Sequence, residues 1–310
     1  MTQLGEAVKA AGISTLSRKC PFDEAEPPDD PRPEDEEFAW DDSVTMAAAQ
    51  DNSASKLGNN LEGGSPGSDG SWNVLGGDPP RYKAPQVDTK RDPSKPKVEV
   101  DGVDYPFTVA AHHIIPGNAS LYESQLFKSY MKKGGKMQVT QPKKKTFTVS
   151  RNIGYNINGS HNGVWLPGSY AIRTGVHPSK STWSVLIETP GHVEWCYRYI
   201  AAVTKSTGSQ FHDTHVHYSN NVLKLLNKMS LLLMKHQTQC DDCQGKDQSP
   251  PPYIVKNRLY RLSAHLRGKL RLSPRYWARR DPWMASDQVF TDIMGNPKSK
   301  AAFFRAYNKP

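Results

Sequence analysis

Apolar residues recur along the chain with both the helical and the strand period. The clearest helical stripe lies within 217–236 and consists of Val222, Leu225, Leu226, Met229, Leu232 and Leu233. These positions are three or four residues apart and so share one face of a predicted helix. A second helix is predicted over 192–205. Within 256–280, a stripe of leucines predicts a third (Leu259, Leu262, Leu266 and Leu270).

Shorter apolar runs, bounded by turn residues, predict strands. One run spans 103–114 and ends in "AAHHI", and another lies in 147–167, where Asn158-Gly159 is a strong turn signal. The segment 182–188, "TWSVLIE", is rich in β-branched and aromatic residues and is predicted as a further strand. Strands and helices in mixed order predict an α+β fold.

Composition separates the first third of the chain from the rest. The segment 20–42 is acidic and rich in proline, and 59–80 is rich in glycine and serine. Such segments bury too little apolar surface to offset the entropy of the chain. We therefore predict a largely disordered leader over 1–97, a folded domain over 98–237, and a basic, mainly helical extension over 238–310.

The leader and the body carry opposite net charge. Residues 1–100 hold 11 Lys/Arg and 19 Asp/Glu, a net of −8, whereas residues 101–310 hold 29 and 12, a net of +17. A strongly basic body is typical of proteins that bind polyanions such as nucleic acid.

Several classes are excluded by what the sequence lacks. Its 4 cysteines are too few for a disulfide scaffold in 310 residues. No apolar run reaches the ~18 residues of a membrane-spanning helix. The N-terminus has no apolar signal core, so we predict synthesis in the cytoplasm without a signal peptide.

Histidines recur in three short segments whose order suggests one site. "AAHHIIP" places His112 and His113 at the end of a predicted strand, and "SHNGVWLP" places an asparagine before another. "FHDTHVHYSNNVLKLL" places His212, His215 and His217 at the start of the clearest helix. Two strands and a helix that carry these groups are the parts of a compact ββα unit.

These residue types suit the hydrolysis of a phosphodiester. The reaction needs a base that takes a proton from water, and positive charge at the phosphate and the leaving oxygen. A neutral imidazole is such a base near pH 7, and imidazoles also hold divalent ions. Consecutive strand residues point to opposite sides, so one histidine of the pair can face a metal and the other the water. An asparagine carbonyl can fix the basic imidazole in the required tautomer.

In this order, "AAHHIIP", "INGSHNGVWLP" and "HDTHVHYSNNVLKLL" resemble the AHH-type nuclease domain. That group belongs to the His-Me finger (HNH-like) nucleases and is common in bacterial polymorphic toxins. The resemblance covers about residues 100–237 and implies a ββα-metal finger core with helical additions. It implies a metal-dependent endonuclease that cleaves DNA and uses one divalent ion, Mg, Mn, Zn or Ni.

The same resemblance implies the biological setting of a toxin or effector. A cognate immunity protein, and a secretion-system carrier or chaperone, are the expected protein partners. Export by a specialised secretion system would deliver such a protein to the cytoplasm of a target cell. No membrane partner is expected.

Carried over residue by residue, the resemblance implies individual roles. His113 is implied as the general base, His112 as a metal ligand, and Asn162 as the residue that orients the base. His215 precedes Tyr218 with the family's His-x-x-Tyr spacing and is implied as a second ligand.

The third ligand is open between two histidines. His212 is the expected one, and His217 is the alternative, because the spacing of His212 and His215 is one residue shorter than the family often shows. The interval between the asparagine and these histidines is long, so 177–205 is predicted to be an insertion.

The extension has a dense run of cations. The segment 256–280 holds nine Lys/Arg and no acidic residue, and Tyr260, Tyr276 and Trp277 interleave it. We predict that these cations clamp phosphates: Lys256, Arg258, Arg261, Arg267, Lys269, Arg271, Arg275, Arg279 and Arg280. A merely solvated basic face is the alternative, and a membrane-surface helix is disfavoured because its arginines do not segregate from its leucines.

Two other functions stay open at this level. One is a non-catalytic nucleic-acid-binding protein whose histidines hold a structural zinc, and the other is a ribonuclease that uses the same site. The pair Cys240 and Cys243 has no clear second pair to complete the four ligands of a structural zinc. Cys196 lies in a predicted apolar helix and is expected to be buried rather than nucleophilic.

Overall fold

The computed structural model describes residues 3–10, 20, 22, 53–61, 97–139, 145–239, 247–252, 254–277 and 281–308. Helix predominates among these residues and the strands are short, which fits the predicted α+β class. Cys240, Cys243, Arg279 and Arg280 lie outside the described residues.

The helices and strands follow in mixed order along the described residues. In chain order they are α1 (Gln3–Ala10), α2 (Ala54–Leu61), β1 (Lys97–Val100), β2 (Val103–Pro106), β3 (Thr108–His113), β4 (Lys136–Val139), β5 (Lys145–Val149), β6 (Gly163–Gly168), α3 (Trp183–Glu188), α4 (Val193–Thr207), α5 (Val216–Gln239), β7 (Gln248–Ser249), α6 (Ile254–Leu270) and α7 (Pro297–Asn308). Short π-helical turns occupy Gly117–Leu121, Phe127–Met131 and Val289–Ile293, and 3-10 turns occupy Ser160–Asn162, Ser169–Ala171 and Pro274–Tyr276.

The chain forms two compact units, each assembled from separate segments. The first unit takes in the described residues of 1–65, 113–163 and 219–267. The second unit takes in those of 66–112, 164–218 and 268–310. The chain passes from the second unit to the first at the peptide bond between His112 and His113.

The first unit contains a three-stranded sheet of order β4-β5-β7. β4 and β5 pair antiparallel, and β5 and β7 pair parallel. Both predicted leucine stripes are buried: Val222, Leu225, Leu226, Met229 and Leu233 on α5, and Leu259, Leu262 and Leu266 on the part of α6 in this unit. The predicted helices over 217–236 and within 256–280 are therefore confirmed.

The second unit contains two pairs of strands and a large apolar core. β1 pairs antiparallel with β2, and β3 pairs with β6. α4, the helix predicted over 192–205, supplies Tyr199, Ile200 and Val203 to the core, where each is fully buried. The described residues 281–308, which we call the C-terminal segment, add Val289, Ile293 and Phe303 to the same cluster.

One predicted strand is wrong. The segment 182–188 forms the helix α3, and Leu186 is its fully buried residue. Its backbone bonds are local, since the Leu186 N–H donates to the Thr182 carbonyl at 2.9 Å. A strand needs a neighbouring strand to satisfy its backbone groups, whereas a helical turn satisfies them within itself.

Two short helices lie among the described residues of 1–97, the range for which the sequence predicts a largely disordered leader. They are α1 and α2. In α2, Leu57 is fully buried, and a Cβ on Gly163 would lie 2.8 Å from the side chains of both Leu57 and Leu61. Two leucines four residues apart form a short apolar face that the average composition of the leader conceals.

Membrane insertion has no support among the described helices. None of them combines the length and the apolar character that crossing a bilayer requires.

Candidate active site

Three of the predicted histidines come together in the second unit. His112 lies in β3, and His212 and His215 lie on the segment that leads into α5. One nitrogen from each ring lies within 4.8 Å of the other two. The ring centroids are 4.7 to 5.1 Å apart. We call these three residues the histidine triad.

The strand β6 fixes the backbone of His212. The His212 N–H donates to the Pro167 carbonyl at 2.7 Å, and Gly168 and His212 form a parallel bridge. A Cβ on Gly168 would lie 2.7 Å from the His212 carbonyl oxygen and 2.5 Å from the Tyr170 ring. Only glycine therefore lets the chain approach this closely, and β6, which pairs with β3, brings His212 beside His112.

Two tyrosines surround the triad. The Tyr170 hydroxyl hydrogen-bonds to Nδ1 of His212. The Nε2 of His212 is buried and has no hydrogen-bond partner among the described residues, so Nε2 is the ring nitrogen available to a metal. Tyr218 is fully buried, with its ring centroid 5.6 Å from that of His112 and 6.1 Å from that of His215.

The surroundings favour the neutral form of two members of the triad. Burial, and secondarily the charge of His215, lowers the pKa of His212 to about 3. Burial likewise lowers the pKa of His215. Because a lowered pKa favours the deprotonated ring at neutral pH, the lone pairs that bind a metal are present.

The donor set fits a divalent transition metal. Imidazole nitrogens are common ligands of Zn and Ni, with bonds of about 2.1 Å for zinc. Two nitrogens on one ion are thus at most about 4.2 Å apart, and the three nitrogens of the triad lie within 4.8 Å of one another. The triad is a candidate metal site by the chemistry of its side chains.

His217 is not part of the triad. Its side chain is exposed, and its ring lies 4.8 Å from that of Phe290. Of the two histidines between which the sequence left the third ligand open, the structure brings His212 to the other members.

His113 lies in the first unit and bonds to an asparagine. Its Nε2–H donates to Oδ1 of Asn158 at 2.8 Å, and both side chains are buried. A proton fixed on Nε2 places the lone pair of the neutral ring on Nδ1. His113 therefore has the tautomer in which Nδ1 can accept a proton.

Asn162 has a different position from the one that the sequence suggested. Its carboxamide accepts from the Ile115 N–H at 2.8 Å and donates to the Ile115 carbonyl at 3.0 Å and the Ile157 carbonyl at 2.9 Å. It is fully buried. The side chain that orients His113 is Asn158, and Asn162 instead ties the turn of Asn158 to the residues that follow His113.

The predicted phosphate clamps differ widely in exposure. Lys256 and Arg258 are only 4% and 3% exposed, because α6 buries the face that they share with the leucine stripe. Arg261 and Arg275 are exposed, and Arg267, Lys269 and Arg271 are half-buried. The prediction of a common phosphate-binding role for all nine cations is therefore corrected for Lys256 and Arg258.

Arg267 bonds to main-chain carbonyls in the first unit. Its Nη2 donates to the Ser160 carbonyl at 2.8 Å and the His161 carbonyl at 2.9 Å. Its Nε donates to the Gly163 carbonyl at 3.2 Å. The three carbonyls belong to residues that flank Asn162 in the sequence of the same turn.

Cys196 has no place in the site. It is fully buried in α4, as predicted, and burial raises the pKa of its thiol to about 12. A thiol with this pKa is protonated at neutral pH and is a poor nucleophile.

Sequence reasoning missed two residues of the site, Asn158 and Tyr170. Asn158 was identified only as half of a turn signal, although it lies as close to the paired histidines in the chain as Asn162 does. Tyr170 is separated from His212 by 42 residues, and no local pattern links the two.

A comparison with protein families gives a match to a nuclease family. The model of AHH, a nuclease family of the HNH/ENDO VII superfamily with conserved AHH, matches residues 96–250. The matched range contains His113, Asn158 and the whole triad, and Ala111-His112-His113 is its AHH tripeptide. No curated protein and no solved structure gives a match to this chain.

Proposed function

The chain belongs to the AHH nuclease family of the HNH/ENDO VII superfamily, and we propose that it is a metal-dependent endonuclease that hydrolyses phosphodiester bonds in DNA. One observation carries the proposal: a triad of histidines that could hold a metal adjoins, at the next residue of β3, a histidine held in the tautomer of a base. In this proposal β3, β6 and α5 are the two strands and the helix of a ββα-metal finger.

The triad would hold the metal. His112, His212 and His215 each offer one imidazole nitrogen, and a hydrogen bond from Nδ1–H of His212 to the Tyr170 hydroxyl would leave the lone pair of His212 on Nε2 for the ion. When bound, a divalent ion supplies positive charge to the scissile phosphate and the leaving oxygen. Three histidines leave positions open for the substrate, whereas a structural zinc is normally closed by four protein ligands.

His113 supplies the base. Its Nδ1 takes a proton from a water molecule, whose oxygen bonds to phosphorus as the bond from phosphorus to the leaving oxygen breaks. Asn158 stabilises the imidazolium that forms, because its Oδ1 accepts the hydrogen bond from Nε2–H. The fixed ring spares the reaction the cost of orienting the base.

The alanine variants of the two adjacent histidines test this proposal. His113→Ala should retain metal affinity and DNA binding but lose roughly 10²–10⁴-fold in cleavage rate, the scale of one general base. His112→Ala and His215→Ala should instead weaken metal binding, and excess metal should restore part of the activity. Cleavage of plasmid DNA and calorimetric metal titration measure the two effects.

Three outcomes separate this function from its alternatives. Removal of metal by a chelator should abolish cleavage, and added metal should restore it. A protein that only shifts plasmid mobility, and never nicks the plasmid at any metal concentration, would be a DNA-binding protein with structural zinc. A preference for RNA over DNA in parallel reactions would make it a ribonuclease.

Equal cleavage by wild type and folded His113→Ala would refute the assignment of His113 as the base.

We further propose that the nuclease acts as an antibacterial toxin or effector. Support comes from the family resemblance and from the net charge of +17 over 101–310, which suits a polyanionic target. Expression in a bacterial host should kill it, and His113→Ala should be tolerated at equal expression. Such a toxin needs an immunity protein and a secretion-system carrier, and co-expression of a small protein encoded beside it should restore growth.

A further inference from the structure

The family match ends at residue 250, yet two charged side chains beyond it form hydrogen bonds with segments that carry residues of the candidate site. Arg267 lies on α6 in the first unit, and Asp287 lies in the C-terminal segment of the second unit. Neither belongs to the set of residues that the family resemblance implies.

Arg267 holds the turn that carries both asparagines. Three of its hydrogen bonds end on the carbonyls of Ser160, His161 and Gly163, at 2.8 to 3.2 Å. A guanidinium is planar and rigid, so several simultaneous bonds fix the carbonyls relative to one another. The turn is thereby fixed to α6.

Residues of this turn also fix the position of His113. Asn158 accepts the proton of the His113 ring, and Asn162 bonds to both main-chain groups of Ile115, two residues after His113. The Ser263 hydroxyl, one helical turn before Arg267 on α6, donates to Asn162 Oδ1 at 3.3 Å. The hydrogen bonds of Arg267, the backbone of the turn and the bond from His113 to Asn158 thus connect Arg267 to the base.

Asp287 holds the segment that carries two members of the triad. Its carboxylate accepts from the Val216 N–H at 2.7 Å and the His217 N–H at 3.1 Å, the first amides of α5. Its own N–H donates to the Thr214 carbonyl at 2.7 Å. A carboxylate at the start of a helix satisfies orphan amides and favours the helix dipole. His215 lies between the two anchored points.

We propose that the chain beyond the family match supplies two positioning residues of the nuclease, Arg267 for the base and Asp287 for the metal ligands. The inference rests on the proposed function, because it presumes that His113 and the triad carry the chemistry. Segment 251–310 is then part of the catalytic fold rather than an appended nucleic-acid-binding region.

For Arg267 the competing role is the phosphate clamp that the sequence suggested. A clamp would act on binding, because its removal weakens contact with the phosphates of substrate and transition state alike. A positioning residue would act on kcat, because the base is misplaced only for the reaction itself. The two roles therefore predict different kinetic constants.

The test compares Arg267→Ala with two matched arginine variants. Arg267→Ala should lower kcat by roughly 10–100-fold, the scale on which supporting hydrogen bonds act, with KM for plasmid DNA and metal affinity unchanged. Guanidinium ion at millimolar concentration should restore part of the rate, and sodium at equal ionic strength should not. Arg305→Ala, an exposed arginine on α7, should behave as wild type, whereas Arg261→Ala should raise KM.

A rise in KM with unchanged kcat in Arg267→Ala, or wild-type values of both, would overturn the role. If Arg267→Ala fails to fold, Arg267→Lys is used instead. The single ammonium of lysine cannot form the planar set of hydrogen bonds that the guanidinium forms, so wild-type kcat in the folded lysine variant would overturn the positioning role.

A readout without activity separates this inference from the proposed function. The ¹⁵N shifts of the His113 ring report which nitrogen carries the proton. Wild type should show Nε2–H, and the folded Arg267 variant should show a larger fraction of Nδ1–H. This expectation holds even if the wild type cleaves no nucleic acid, and an unchanged tautomer would contradict the positioning role.

For Asp287 the measured quantity is the affinity of the apoprotein for Zn²⁺. Asp287→Ala should weaken it about fivefold, which corresponds to the ~1 kcal/mol that the loss of a cap costs, and Asp287→Asn should weaken it less because Asn is also a good cap. Asp104→Ala, an exposed aspartate of β2, is the matched control and should bind normally. Wild-type affinity in folded Asp287→Ala would contradict the role.

Hydrogen exchange tests the same contact without a variant. In the wild type, the amides of Val216 and His217 should exchange slowly with solvent, because both donate to Asp287 although both residues are exposed. Exchange at the rate of free amides would overturn the role of Asp287, whether or not the protein binds metal.

Discussion

Asn158 and Asn162 lie on one turn and have separate tasks. Asn158 bonds to the ring of His113, while Asn162 bonds only to main-chain groups and to one serine hydroxyl among the described residues. In the proposed mechanism, Asn158 acts on the base and Asn162 on the shape of the turn. At the residue scale, what each amide contacts is therefore the basis for assigning the two tasks.

Replacing each asparagine with alanine should separate these tasks. Asn158→Ala should lower kcat by roughly 10–100-fold with little loss of stability, as for other groups that orient a catalytic ring. Asn162→Ala should instead lower the free energy of unfolding by about 2–4 kcal/mol, because it leaves buried main-chain groups unsatisfied. Plasmid cleavage and urea unfolding measure the two quantities. The reverse pattern would restore Asn162 as the partner of the base.

The helix α6 combines a buried apolar stripe with cations in three different environments. Arg258 is buried, Arg267 binds a turn, and Arg261 is exposed. Its leucine stripe explains why the helix forms, but the stripe does not reveal which cations face solvent. At the element scale, charge density alone overestimates the phosphate-binding surface.

The salt dependence of DNA binding should distinguish these cations. Arg261→Gln and Arg275→Gln should each reduce the slope of log affinity against log salt by about 0.9, the value for one phosphate contact. Arg258→Gln should leave the slope unchanged and lower stability, because its side chain is buried. An unchanged slope in both exposed variants would show that this helix and the residues after it do not contact phosphates.

The buried residues that form the cores of the two units come from distant parts of the chain. α6 contributes Leu259, Leu262 and Leu266 to the first unit, and the C-terminal segment contributes Val289 and Phe303 to the second, all fully buried. Each buried side chain of this size stabilises a fold by about 1.5–3 kcal/mol. Together they amount to about 10 kcal/mol, which is comparable to the whole stability of an ordinary domain.

Truncation at the limits of the family match should therefore abolish folding. A fragment of residues 96–250 contains every proposed catalytic residue but should lack cooperative unfolding in circular dichroism, and it should not bind metal tightly. A fragment of residues 97–310 is the matched control. It should fold and cleave DNA, with a lower melting temperature than the full chain because it lacks the buried Leu57 of α2. A cooperatively folded 96–250 fragment would contradict this expectation.

The sequence by itself determined the long helices, the α+β class and the family. Leucines at helical spacing must be buried together, so α5 and α6 followed from periodicity, and α4 lies close to its predicted limits. The paired histidines and the histidines before α5 were found because their residue types suit metal binding and proton transfer. The short segment 182–188 was misassigned because apolar, β-branched composition does not distinguish a strand from a short helix.

Only the tertiary structure decided which side chains meet. Asn158 is 45 residues from His113, and Arg267 is 107 residues from Ser160. No spacing rule connects residues so far apart, because their proximity depends on tertiary packing and not on the local sequence. The choice of His212 over His217 was decided in the same way: β6 pairs with the backbone of His212, while the ring of His217 lies against Phe290.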